Sequence, residues 1–217
     1  MRADVWLMLP PALWETLYMV GVSSFFTTLL GVPLGIALTV TRPGHILGNA
    51  VGNRVLGLVI NAVRSLPFAI FIVAIIPFTR LLVGKSIGPT AVIVPLTLAA
   101  MVLMARQTES ALLEVPYGVI EAAQSAGGST GQLIWHVLLP EALPGLVQAV
   151  TITVITLTGY SAMAGAVGGG GLGDLGIRYG YQRYRLDVML ITSFLLIVLV
   201  QIIQSSGDWL ARRLNRR

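Results

Sequence analysis

The titratable side chains of this 217-residue chain do not assemble into a catalytic set. His45 and His136 stand far apart with no carboxylate cluster beside them, and there is no cysteine, so a metal site, a disulfide or thiol redox chemistry is not expected. Glu109 and Glu114 come shortly before Glu121, but no base, nucleophile or metal-binding group accompanies them, and they read as solvated charge at a surface. The glycines of residues 168–173 satisfy the spacing of a dinucleotide-binding loop, yet they follow a long apolar segment rather than a strand and read as a flexible loop. Gly84-Lys85-Ser86 resembles the end of a phosphate loop, but Thr79 stands where the leading glycine belongs, so any ATP must be bound by another chain. The chemistry that remains is recognition. Ala122, Ala123, Ala126 and Gly127 give a short helix a flat surface able to sink into a groove on another protein, and Glu121 adds one anionic contact at its edge.

The composition says what must hold such a segment. Hydrophobic residues make up 55% of the chain and charged residues only 11%, against about 25% in soluble domains, and the mean hydropathy is +0.84. This is an all-α integral membrane protein, expected to form a single domain over residues 1–217. The net charge of +5 places arginines at an anionic lipid surface and does not point to nucleic acid. Five spans are expected: residues 16–41, 55–77, 86–105, the first two-thirds of 142–173, and 188–207. Gly31 and Gly35 in the first span permit close helix packing, with Pro33 a bend. Arg64 in the second can snorkel if it lies near the cytoplasmic end; it and Arg106 read first as interface anchors, with binding of a substrate carboxylate as the lesser alternative. Residues 106–141 carry charges among turn residues and are placed outside the bilayer. Arg2, Asp4, Pro10 and Pro11 make a poor signal peptide, so the start is expected to be retained.

The arginines at positions 212, 213, 216 and 217 argue for a cytoplasmic C-terminus. Five spans then put the N-terminus outside and residues 106–141 inside. Arginine placement alone gives only a weak bias, and the segment itself supplies a second reason. Glu121-Ala122-Ala123, three residues, Gly127, nine residues, then Val137-Leu138-Leu139-Pro140 resembles the E-A-A-x3-G-x9-I-x-L-P motif of bacterial ABC importer permeases, with valine in place of the usual isoleucine. Gly127-Gly128 ends a first helix and Ser129 or Thr130 caps a second, giving a helix-turn-helix on the cytoplasmic face. In the family this coupling element, here Glu121, Ala122, Ala123 and Gly127, docks on the ATPase subunit.

Further stretches resemble the permeases of bacterial methionine importers: Trp14-Glu15-Thr16-Leu17, Thr41-Arg42-Pro43-Gly44, Arg64-Ser65-Leu66-Pro67-Phe68, Ile76-Pro77-Phe78-Thr79-Arg80 and Gly159-Tyr160-Ser161-Ala162-Met163. The resemblance implies a homodimer in the bacterial cytoplasmic membrane, two ATP-binding subunits, an external binding protein and methionine of either configuration as cargo. It implies no cofactor and no covalent chemistry on this chain. The runner-up is a permease of the same class for another amino acid or small solute. An ion-coupled secondary transporter would need internal repeats and intramembrane ionisable sites. The fourth span carries Thr151, Thr153, Thr156 and Thr158 and is expected to face a partner or a pathway. Tyr160, Ser161 and Met163 are the candidates for lining or gating that route near its outer side, methionine suiting an apolar constriction that must reopen.

Overall fold

The computed structural model describes residues 3–215, so Arg2, Arg216 and Arg217 lie outside the described residues. α1 (Ala3–Val40) runs as one helix through Pro10, Pro11 and Pro33. α2 (Ala50–Arg64) and α3 (Phe68–Ala74) meet at 98°, and α4 (Ile76–Val83) follows. α5 (Pro89–Leu113) is 25 residues long, enough to span a membrane. α6 (Tyr117–Ser125) and the single turn α7 (Thr130–Gln132) lead through a π-helical segment (Leu133–Leu138) into α8 (Leu139–Gly165). After the glycine run come α9 (Gly171–Leu175), a second π segment (Gly176–Tyr181) and α10 (Leu186–Leu214). Four of these stretches are long and apolar enough to cross a membrane, and the bent α2–α3 pair makes a fifth.

α1 and α5 run parallel in a fixed register. The Ser23 hydroxyl donates to the Ile93 carbonyl at 3.5 Å and the Thr27 hydroxyl to the Thr97 carbonyl at 3.4 Å. Further along, Gly31 lies on Met104, and a Cβ on Gly35 would collide with Ala105 and Thr108. The small-residue pair is therefore the α1–α5 contact, where two backbones approach more closely than any larger side chain allows. α8 runs the other way, with Gly145 against Ala111 and Thr153 bonded to the Met104 sulfur at 3.4 Å. Consequently the C-terminal ends of α1, α5 and α10 share one end of the bundle with Glu121, and the glycine run sits at the opposite end.

Three expectations are corrected. The second span is not one helix over residues 55–77. Pro67 has no amide hydrogen to donate and its ring disfavours a helical Leu66, so α2 stops at Arg64 and the chain turns. The helix that carries the third span does not end at Ala105 but continues to Leu113, because its charges are paired within the fold. Arg106 meets Glu109 at 2.6 Å, and its other guanidinium nitrogen donates to Asn61 Oδ1 at 2.9 Å and the Gly57 carbonyl at 3.2 Å. Glu109 is thus an ion-pair member, its side chain only 13% exposed, not solvated surface charge.

The glycine run is likewise a packed turn instead of a flexible loop. Gly168, Gly170 and Gly171 adopt positive φ, which side-chain-bearing residues rarely do, and Gly169, Gly171 and Gly173 are buried. α1 clamps it: Glu15 Oε2 accepts from the Gly171 amide at 2.7 Å, and the Thr16 hydroxyl accepts from the Leu172 amide at 2.8 Å. Glu15→Ala leaves a part-buried amide without its charged partner, a loss of about 1–3 kcal/mol. Glu15→Gln keeps an acceptor oxygen at that place. Thermal unfolding of the purified protein should rank wild type above Glu15→Gln above Glu15→Ala.

Candidate docking face and pathway

α6 starts after Pro116 and ends because Gly127 takes a left-handed conformation, φ +81°. The amides of Gly127 and Gly128 then turn back to the carbonyls of Gln124 and Ala123 at 2.9 and 3.1 Å, closing the helix end as a Schellman-type turn does. Ser129 is the cap of the next helix. Its hydroxyl accepts from the Gln132 amide at 3.4 Å while the Gln132 side chain accepts from the Ser129 amide at 2.8 Å, a reciprocal capping box. Of the two residues offered by the sequence as the cap, Ser129 is the one used.

The hairpin has a dry side and an open side. Ile120 and Leu138 are buried with Val40, Leu112, Val115 and Ala142, and Leu133 is also buried. Outward, Glu121, Ala122, Gln124, Ser125 and Gly127 are exposed and Ala123 is half-buried. Trp135 adds an aromatic that is 70% exposed. Glu121, Ala122 and Gly127 are thus left exposed on the hairpin, with Ala123 half-buried between them.

The turn between α1 and α2 braces this hairpin. The His45 ring meets Tyr117, the first residue of α6, edge-on at 6.4 Å between centroids, and its Nδ1 is buried with no bonding partner. Burial, and secondarily the charge of Arg42, lowers the pKa of His45 from the ordinary 6.5. An imidazole whose folded pKa is depressed stabilises the fold fully above 6.5, and that contribution is lost as pH falls through the folded value. Melting temperature should therefore fall more steeply for wild type than for His45→Gln as pH is lowered towards about 5.

The three pathway candidates do not share a face. Tyr160 is half-buried and its ring stacks on Phe68, centroids 4.3 Å apart and planes 2° apart. Met163 is 48% exposed. Ser161 is 1% exposed and donates to the Thr158 carbonyl of its own helix at 2.8 Å, so it points into the subunit. The threonines also depart from expectation: Thr151, Thr153 and Thr158 are buried, each bonded to the carbonyl four residues back, and only Thr156 reaches the open side. What the open side of α8 presents is Gln148, Ile152, Thr156, Gly159 and Met163, successive turns of one helical stripe. Two positional features escape the sequence reading. The Glu15–Gly171 clamp joins residues 156 apart, and the Phe68–Tyr160 stack follows only once α3 is known to cross α8. Pro67 was the available signal for the second.

A bundle of apolar spans that presents a capped, small-residue helix-turn-helix at one end is a membrane permease worked by another chain. The chain belongs to the binding-protein-dependent transport system inner membrane component family, which it matches over residues 31–217. It is 56% identical over 206 residues, 95% of this chain and 92% of the relative, to the probable D-methionine transport system permease protein MetI of Vibrio cholerae. The Escherichia coli K12 D-methionine transport system permease protein MetI is 53% identical over 161 residues, 74% of each chain. Among solved structures, an inward-facing MetNI methionine ABC transporter matches with a TM-score of 0.98 and 51% identity, covering 100% of both chains. An amino acid ABC transporter solved with histidines shares the fold, with a TM-score of 0.76 at 19% identity. This is a multi-pass protein of the cytoplasmic membrane and a non-catalytic subunit.

Proposed function

We propose that this chain pairs with a second copy to form the pathway by which an ATP-driven importer carries methionine of either configuration inward. Two ATP-binding subunits drive it and an external binding protein delivers the cargo. The observation that carries this reading is the open hairpin face around Ala122, set in a chain whose whole length matches a methionine transporter subunit. In this reading residues 1–217 act as one permease domain. The Glu121 end, with Arg42, Arg54, Arg212 and Arg213, faces the cytoplasm, where basic residues accumulate, and the N-terminus lies outside.

Glu121, Ala122, Ala123 and Gly127 make the ATPase contact. The capping box and the π segment tie that contact directly to α8, so movement of the hairpin is passed to the helix bearing Thr156, Gly159 and Met163. Met163 serves as the gate and Tyr160, held against Phe68, as its support, while Ser161 packs the helix from within. Alternating access follows if ATPase closure favours one of two packings of the spans.

The test is ATP-dependent uptake of labelled methionine, in cells with and without this chain, competed by excess unlabelled amino acids. Uptake that vanishes with the chain and is competed by both methionine stereoisomers is expected. Unchanged methionine uptake in cells lacking it and every other methionine carrier would overturn the substrate. Competition led by another amino acid would favour the same machinery with a different cargo.

A further inference from the structure

The break in the second span leaves an exposed guanidinium that forms no ion pair among the described residues. Arg64 is the last residue of α2, about 15 Å along the helix from Arg54 at the cytoplasmic end. Ile60 packs with Val102 and Ala105, while Phe68 packs with Leu96 and Ala100. Arg64 therefore stands level with the middle of α5, about one helical turn deeper than Asn61, which bonds Arg106.

The Arg64 side chain is exposed, and none of the ion pairs of the described residues involves it. A guanidinium keeps its charge in any protein setting, so facing lipid there would be costly. The protein's own carboxylates are placed elsewhere. Glu15, Asp174 and Asp187 lie at the glycine end, and Glu109, Glu114, Glu121 and Glu141 at the cytoplasmic end. Asp208 is bonded to Gln204 and follows Gly207, which abuts Thr151, nearer the cytoplasmic end than the break. Asp4 lies in the first turns of α1 at the opposite end. A second copy brings the same inventory, so dimerisation adds no carboxylate at this depth. An anionic solute entering the pathway would supply the counter-charge that Arg64 lacks here.

The same break leads to an apolar platform. Ser65, Leu66 and Pro67 connect Arg64 to Phe68, whose ring stacks on Tyr160 of α8. Four residues span at most about 14 Å, the scale of one amino acid bound between a charge and a ring. We propose that Arg64 is the carboxylate-binding residue of the pathway, pairing with the α-carboxylate of the transported amino acid as its side chain passes the Phe68–Tyr160 stack. This rests on the amino-acid importer reading above. Guanidinium suits the task because its fork meets both carboxylate oxygens at once.

The experiment uses the whole transporter, with its ATPases and binding protein, in proteoliposomes. Uptake of labelled methionine is compared with that of methioninamide, which lacks the carboxylate, for wild type, Arg64→Gln and Arg64→Lys. The binding protein is common to all three, so its own preference cancels between them. The expected result is that Arg64→Gln lowers the methionine-to-methioninamide ratio about tenfold or more, with assembly and ATP hydrolysis retained. Arg64→Lys should fall between, since it keeps the charge and loses the fork. If Arg64→Gln does not assemble, Arg64→Lys alone carries the test. A ratio unchanged from wild type in the assembled variants would overturn the proposal. Failure of wild type to move any amino acid would instead overturn the importer reading, so the two failures are distinguishable.

Discussion

Ala122→Trp is expected to abolish ATP-driven uptake while the permease still folds, dimerises and reaches the membrane. Ala122 lies on the open face of α6 and is exposed, so a larger side chain disturbs nothing inside the subunit. The helix also accepts the change, since the propensity difference from alanine is below about 0.7 kcal/mol. The proposed partner groove should not accept it. A surface of alanines and glycine lets two backbones approach closely, and an indole at its centre holds them apart over the whole contact. Losing even ~2.7 kcal/mol of docking energy weakens the partner's affinity about 100-fold. Co-purification of the ATPases with a tagged permease, measured beside uptake, gives the decisive readout. Glu121→Gln should cost only a few-fold and lose its effect at high salt, because an exposed rim charge contributes mainly to the approach of the partners. If Ala122→Trp retained both ATPases and full uptake, the docking face would be wrongly placed.

The parts of this molecule that sequence reading reaches are those in which one physical effect dominates locally. Long apolar runs must cross the membrane as helices because lipid offers their amides no partners, and that alone yields the spans that α1, α5, α8 and α10 carry. The hairpin of α6 and α7 is legible because its devices are local: a glycine able to adopt positive φ at position 127, a capping serine at 129 and a Gln three residues on. Two elements were not reachable in this way. The 98° turn at Arg64–Phe68 depends on α3 finding a seat against Val92, Leu96, Leu157 and Ala164, contributed by helices far along the chain. Ser161 is adjacent in sequence to Tyr160 and looks equally placed to line a route, yet a step of one residue rotates a side chain by about 100° and carries it to the packed face. The glycine run misled for a related reason. Glycines mark either freedom or close approach, and only the neighbours Glu15, Thr16 and Ala162 decide between them.

Those neighbours make Gly173→Ala the second large effect. A Cβ at Gly173 would be driven into the Cα and carbonyl of Ala162, and one at Gly165 into the backbone of Gly173 and Asp174. α8 and α9 therefore cross backbone against backbone, and neither side has a flexible side chain that can swing aside. Accommodating one methyl group means separating the two elements. That separation pulls α9 from the Glu15 and Thr16 bonds that hold its first two amides to α1. Overpacking of this kind costs about 1–3 kcal/mol by itself, and each charged or buried bond released adds about 1 kcal/mol or more. A fall in melting temperature on the order of 10 °C, with poor recovery of folded protein, is the expected result. The informative comparison is Gly159→Ala on the open face of α8, where an added Cβ meets nothing within 4 Å. There the same substitution removes a helix-interior glycine and should raise stability by up to about 1 kcal/mol. Opposite signs from one chemical change, fourteen residues apart, would show that close packing at the glycine-run end and not glycine content sets the requirement. Equal and small effects at both positions would mean that α8 and α9 are free to part, and the glycine-run end of the bundle would then have to be loosely held.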